Sequence, residues 1–271
     1  MTVKTFELTG TTTLALGGEA PTLAQASADL PAGAYTSLRT YGGNRVLRLE
    51  QHVCRLEESV ALQGRPAPLD PAAVGGAIVA ALAGAGHRES RVRLTYAPPR
   101  FFVSVEAFEP LPEPLYLQGV ACVTLALRRE NPHAKDTRFI ATARGAYGTL
   151  PKGVNEGLLV AEDESLLEGL SSNFFAVCHG VLHTEEERVL LGVTRALVLE
   201  VAQEILSVER TAVRRGRLPE LSEAFITSVS REVLPVVRID GQVIGDGRPG
   251  PKTRALMQAF ADLVRREAKP L

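Results

Sequence analysis

Pro110, Pro112 and Pro114 alternate along Phe108-Glu109-Pro110-Leu111-Pro112-Glu113-Pro114. Each proline removes a backbone donor, fixes its own φ and biases the residue before it toward an extended conformation. Three at alternate positions favour an extended linker. The segment therefore divides the 271 residues into 1–110 and 117–271, joined by a linker at 109–116. Either part can bury a core.

Both parts mix strands and helices. In the first, Arg45-Val46-Leu47-Arg48-Leu49 alternates like a strand. Residues 50–62 place Val53, Leu56 and Val60 on one helical face, and Asp70-Pro71 is a cap and first-turn proline for a helix through Leu82. Arg91 to Thr95 and Phe102 to Val105 read as a β pair around a Pro-Pro turn. In the second part, strands are expected at 120–127, 158–160, 174–177, 181–182, 225–227 and 236–239. Helices are expected at 138–147, after a Thr194 cap, and at 251–266. Strand and helix do not strictly alternate, so the expected class is α+β, with a smaller and a larger domain.

Bulk properties exclude several functions. A net charge of -1 argues against a general nucleic-acid or anionic-membrane partner. No charged-then-apolar leader and no apolar run of about 18 residues is legible, so neither a secreted nor a membrane-spanning protein is expected. Cys54, Cys122 and Cys178 are odd in number and far apart, as for reduced thiols in a cytoplasmic protein.

Lysine is scarce: Lys4, Lys135, Lys152, Lys252 and Lys269 stand against 25 arginines. Chemistry that needs a neutral primary amine cannot use Arg. Only Lys135 and Lys152 are interior. Three further stretches could carry chemistry. Glu168, in Glu168-Gly169-Leu170-Ser171-Ser172-Asn173, stands among small polar residues before an apolar strand, as either a carboxylate aimed into a cavity or a solvated turn. Gly192-Val193-Thr194-Arg195 feeds a helix N-terminus, which suits a phosphate but also fits a plain Thr cap. Thr227-Ser228-Val229-Ser230-Arg231 places hydroxyls between two strands, at an anion site or a polar turn. Gly245 to Gly250 imitates a dinucleotide fingerprint, but Pro249 and its late position make it a loop. Cys178, His179 and His183 lack a completing ligand pair, and adjacent strand residues point to opposite faces, so no metal is expected.

Together these motifs, in this order, resemble the class IV aminotransferases, the fold-type IV pyridoxal-phosphate enzymes, from about Tyr35 to the last helix. That family includes branched-chain and D-amino-acid aminotransferases and aminodeoxychorismate lyase. The resemblance implies a two-domain α+β fold, with pyridoxal 5'-phosphate between the domains, and a homodimer. It assigns the Schiff-base lysine to Lys135, because Lys152 lies only four residues before Glu156. It assigns the pyridine-nitrogen carboxylate to Glu168 and the phosphate-binding Arg of the His-x-x-Arg helix to Arg55, in His52-Val53-Cys54-Arg55. The phosphate cups fall on Val193-Thr194 and Ser228-Val229, with Ser230 close by. Tyr35 matches a substrate-side aromatic position, Arg93 the Arg of branched-chain enzymes near the substrate carboxylate, and Ser37 the lyase's catalytic Thr.

The chain departs from the family at several points. Leu30 to Ala34 replaces the Asp-Arg and Gly-Asp-Gly pattern, and Arg138-Phe139 replaces the Asn-Tyr after the lysine. Tyr96-Ala97-Pro98-Pro99-Arg100 stands where D-enzymes carry Arg-x-His. The expected activity is a ping-pong aminotransferase acting on branched-chain or other apolar amino acids and a 2-oxo acid. Two alternatives stay open: the lyase reaction, releasing pyruvate and 4-aminobenzoate from aminodeoxychorismate, and a non-catalytic binding protein on the same fold.

Overall fold

The computed structural model describes residues 2–271, which form two compact units. The first comprises residues up to Glu109, with Ala134–Thr142 and Arg266–Leu271; the second comprises Pro110–His133 and Ala143–Arg265. The proline segment is thus the first of several passages between units, which one boundary drawn along the sequence does not capture.

In the first unit, β1 (Lys4–Thr9) and β2 (Thr12–Ala15) precede a short helix α1 (Leu23–Ala28) and β3 (Ala34–Arg39). There follow β4 (Arg45–Val46), α2 (Leu49–Leu62), α3 (Pro71–Ala85), β5 (Ser90–Ala97) and β6 (Arg100–Ala107). Five of the strands make an antiparallel sheet in the order β2-β1-β6-β5-β3. Period-two alternation sends Ala34, Leu38, Val92 and Leu94 into a core shared with Val53, Leu56 and Val60 of α2 and Val74 and Ile78 of α3. Tyr35, Ser37 and Arg93 therefore share the opposite sheet face, with Ser37 directly across from Arg93. Asp70 caps α3 by accepting from the Ala72 N–H at 3.0 Å. The helix runs one turn beyond the expected Leu82 because Gly86, at φ 72°, supplies the left-handed cap.

In the second unit, the proline segment is only partly extended. Residues 113–118 form α4 (Glu113–Gln118), with Pro114 in its first turn, where a missing N–H costs nothing. The chain continues through β7 (Val120–Leu125), α5 (Arg138–Tyr147), whose first half belongs to the first unit, β8 (Glu156–Val160), β9 (Leu166–Gly169), β10 (Asn173–Cys178) and β11 (Val181–His183). The second unit ends with α6 (Val193–Ala202), β12 (Val208–Glu209), β13 (Leu221–Ser228), β14 (Glu232–Ile239), β15 (Gln242–Val243) and α7 (Pro251–Glu267). β10, β13, β14, β7, β8 and β9 run in that order, and β9 pairs back onto β10 through Glu168 and Asn173, which closes the ring. Alternate residues Val120, Phe174, Ala176, Ala224, Ile226, Leu234 and Val236 fill one core. A final β16 (Lys269–Pro270) pairs with β4 in the first unit.

The buried carboxylate of Glu223 caps α7, accepting from the N–H groups of Lys252 at 3.0 Å and Thr253 at 2.6 Å. On the ring face opposite the alternating core, register partners Phe175 and Phe225 stack with centroids 4.8 Å apart. Both are fully buried. Phe225→Ala should lower unfolding free energy by about 3–5 kcal/mol, read from denaturant midpoints.

Candidate active site

The first unit carries a lysine with a cluster of cations. The stretch from Ala134 to Thr137 lies along the start of β3. Tyr35 donates its N–H to the Lys135 carbonyl at 2.9 Å, and Thr137 exchanges bonds with Gly33. Ser59 on α2 accepts from the Lys135 N–H at 3.1 Å. These bonds fix the backbone of Lys135, whose Nζ stands 4.7 Å from the Tyr35 ring centroid. The Arg93 guanidinium lies 4.9 Å from the same centroid. Arg93 donates to the Leu23 carbonyl at 2.9 Å and to Ser27 Oγ at 2.8 Å, while its buried Nε has no partner. Burial lowers its pKa.

Arg55 is buried, and desolvation pulls its pKa down to about 10, so it remains charged at neutral pH. It donates to Thr36 Oγ1 at 2.5 Å, and Thr36 in turn bonds His52 Nδ1 at 2.8 Å. Burial, followed by the charges of Arg55 and Lys135, holds His52 well below the usual imidazole range. Arg55 Nε is buried without a partner, so the arginine has donor capacity left for an anion.

Two of the buried carboxylates of the second unit, Glu168 and Glu156, are ion-paired with arginines from outside their own strands. Glu168 is the last residue but one of β9 and pairs with Arg129 Nε at 2.8 Å. Asn173 Nδ2 donates to Glu168 at 3.4 Å and to the Leu190 carbonyl at 2.7 Å. A Cβ on Gly192 would lie 2.3 Å from Asn173 Oδ1, so Asn173 requires glycine there. Gly192 is consequently the N-cap of α6, with no side-chain cap bond. The expected Thr194 cap is corrected: Val193 and Thr194 are buried residues of the first turn, which presents backbone N–H groups. The other predicted cup, Ser228-Val229-Ser230, forms the half-buried turn between β13 and β14, with Ser228 Oγ accepting from the Arg231 N–H at 3.3 Å.

The second carboxylate, Glu156, is fully buried at the start of β8. It receives Arg231 at 2.6 Å, Tyr147 Oη at 2.6 Å and Ser172 Oγ at 2.9 Å. Burial pushes Tyr147 up to about 12. Arg231 is pulled down by burial, but Glu156 and Tyr147 outweigh that and raise its pKa.

Sequence reasoning missed several of these residues. Ser59 was readable as the next member of a polar stripe His52, Arg55, Ser59 on α2. Arg129, Thr36 and the Asn173 bond to Glu168 had no local signal, because only tertiary packing brings them to their partners. Cys178 and His179 also depart from the strand alternation expected of them. His179 and Gly180 have φ 49° and 80° and form the two-residue turn between β10 and β11, so the alternation stops there. Cys178, His179 and Glu220 offer ligand atoms within 4.8 Å of one another. Arg217 donates to Cys178 Sγ at 3.2 Å and pairs with Glu220 at 2.8 Å, so a metal would have to displace a cation.

The family model for amino-transferase class IV matches residues 33–239. A branched-chain-amino-acid aminotransferase of Pseudomonas aeruginosa is 26% identical over 264 residues, covering 86% of this chain and 84% of that protein. A D-alanine aminotransferase of Bacillus licheniformis is 38% identical over 112 residues, 40% of this chain and 39% of that one. The crystal structure of the branched-chain aminotransferase from the archaeon Thermoproteus uzoniensis with norvaline has the same fold, with TM-score 0.79 and 22% identity over 98% of this chain and 96% of that one. The chain belongs to the class IV aminotransferases. It has the fold-type IV α+β architecture and is a transaminase. No helix among the described residues is long and apolar enough to cross a membrane.

Two outcomes follow from the buried charges. Arg231→Met leaves Glu156 uncompensated and should cost about 3–5 kcal/mol in chemical denaturation, a loss that Glu156→Gln partly recovers. His52 is held neutral when folded, while the unfolded chain binds the proton below its ordinary value of 6.5. Its contribution to stability should therefore fall as pH drops below that value, by about 1.4 kcal/mol per unit, and His52→Asn should remove that share of the slope.

Proposed function

We propose that this chain is a pyridoxal-phosphate aminotransferase moving an amino group between an apolar, branched-chain-type amino acid and a 2-oxo acid. The observation that carries it is the clamping of Lys135 to β3 and α2, the helix that also presents buried Arg55 with an unpartnered Nε. The relatives' names support the branched-chain preference. Neither the lyase nor the non-catalytic reading is favoured by the named relatives.

When bound, the cofactor supplies an aldehyde that condenses with amines and a ring that accepts electrons from the substrate α-carbon. Lys135 offers the amine that would hold it and, once displaced by the amino acid, would carry the proton from the substrate α-carbon to the carbon that bore the aldehyde. Arg55 and the first-turn N–H groups at Val193 and Thr194 suit its phosphate, together with the turn at Ser228-Val229. Glu168, ion-paired with Arg129, is the anionic acceptor for the ring nitrogen. Tyr35, Ser37, Arg93 and Ser230 bind substrate, with Arg93 as a carboxylate partner.

The same reading makes the two compact units its domains and the protein a cytoplasmic homodimer; its cysteines are free thiols, which suits a reducing compartment.

Purified protein should be yellow, and borohydride should bleach the visible band. Lys135→Ala should lose the covalent adduct in peptide mapping. A colourless protein that takes up no added cofactor would sink the reading, and an adduct at Lys152 would overturn the residue assignment. Bleaching of the band by a panel of L- and D-amino acids reads donor preference, with the branched-chain L-amino acids expected to act fastest.

A further inference from the structure

Helix α2 buries a polar stripe at i, i+3 and i+7: His52, Arg55 and Ser59, at 2%, 8% and 0% exposure. Such groups are costly to bury unless each finds a partner. Ser59 holds the Lys135 backbone, and the other two converge on one hydroxyl, Thr36 Oγ1 of β3. Donor counting sets the direction of the first bond in that chain. Arg55 can only donate, so Thr36 accepts from it. Thr36 has one proton left to give, and His52 Nδ1 is the acceptor 2.8 Å away. Burial keeps the imidazole neutral, and the relay uses the tautomer with its proton on Nε2. If Nδ1 carried the proton, Thr36 would accept twice and its own hydrogen would lose this partner.

We propose that Thr36 and His52 are positioning residues for Arg55, fixing the guanidinium through an Arg55-to-Thr36-to-His52 relay so that its remaining donors meet the cofactor phosphate. The inference rests on the reading of Arg55 as the phosphate anchor. An arginine side chain has several rotatable bonds, and ordering it on binding costs affinity. The relay orders it beforehand. His52 sets the orientation of Thr36, and Thr36 limits which way the fork of Arg55 faces.

The test compares dissociation constants of apoprotein for pyridoxal phosphate and for pyridoxal, which lacks the phosphate. Thr36→Val should weaken pyridoxal phosphate by about tenfold, the scale of one lost buried hydrogen bond. It should leave pyridoxal within about twofold, because only the phosphate contact is affected. Thr36→Ser, which keeps the hydroxyl, should restore binding. Arg55→Gln should show the same phosphate-selective loss, and adding Thr36→Val to it should cost nothing further, since the relay then has nothing to position. Equal losses for both ligands, failure of Thr36→Ser to restore binding, or an undiminished Thr36→Val effect without Arg55 would each overturn the relay. If Arg55→Gln leaves the preference for the phosphorylated ligand intact, the anchor reading itself fails. If Thr36→Val does not fold, the pair His52→Asn and His52→Leu applies the same contrast: Asn keeps an acceptor near the Nδ1 position and should bind, whereas Leu should show the phosphate-selective loss.

Discussion

Closing six strands into a ring puts Glu168 and Glu156 out of reach of water, and much of the second unit is organised around satisfying them. Glu168 sits at the closing seam, where β9 meets β10 through a single register pair. Glu156 starts β8 beside it in the sheet. An unpaired buried carboxylate would neutralise itself or unfold its surroundings, so each has an arginine partner: Arg129 for Glu168 and Arg231 for Glu156. The two glycines nearest these groups follow from the same crowding. A Cβ on Gly169 would come within 2.9 Å of the Glu156 carboxyl, and one on Gly192 would strike Asn173. Close approach of polar side chains, rather than a special backbone angle, dictates glycine at both.

Asn173 links the charge to the helix. It touches Glu168 on one side and the Leu190 carbonyl just ahead of α6 on the other. The carboxylate and the first turn of α6 are therefore held to each other by one amide. Backbone N–H groups at a helix start bind an anion well only when their placement is fixed in advance. The glycine cap, required by Asn173, leaves those groups without competition from a capping side chain.

What was legible in the sequence and what was not divide along local and non-local lines. Periodicity located α2, its buried face and the β5–β6 pair, because those depend on neighbours within a few residues. The Asp70-Pro71 cap was local too. The proline segment misled in part: a proline in the first turn is compatible with a helix, and α4 uses Pro114 there. The Thr194 cap failed because Asn173, some twenty positions earlier, decides which residue can occupy the cap. Arg129 and Thr36 were invisible for the same reason. Each acquires its partner only when strands or a strand and a helix pack, and one sequence carries no mark of that pairing.

A formal charge of -1 conceals how unevenly charge is buried. The second unit matches Glu156 and Glu168 with arginines. In the first unit, buried Arg55 and half-buried Arg93 have hydroxyl and carbonyl partners and no ion pair among the described residues, and Lys135 lies over the same Tyr35 ring that faces Arg93. Hydrogen bonds to neutral acceptors and an aromatic face make these cations tolerable without neutralising them. Burial nonetheless disfavours their charged forms, as the lowered pKa values of Arg55 and Arg93 indicate. On the proposed reading, a phosphate at Arg55 and a carboxylate at Arg93 would supply compensating charge, so ligand binding and the stability of the first unit are expected to be coupled.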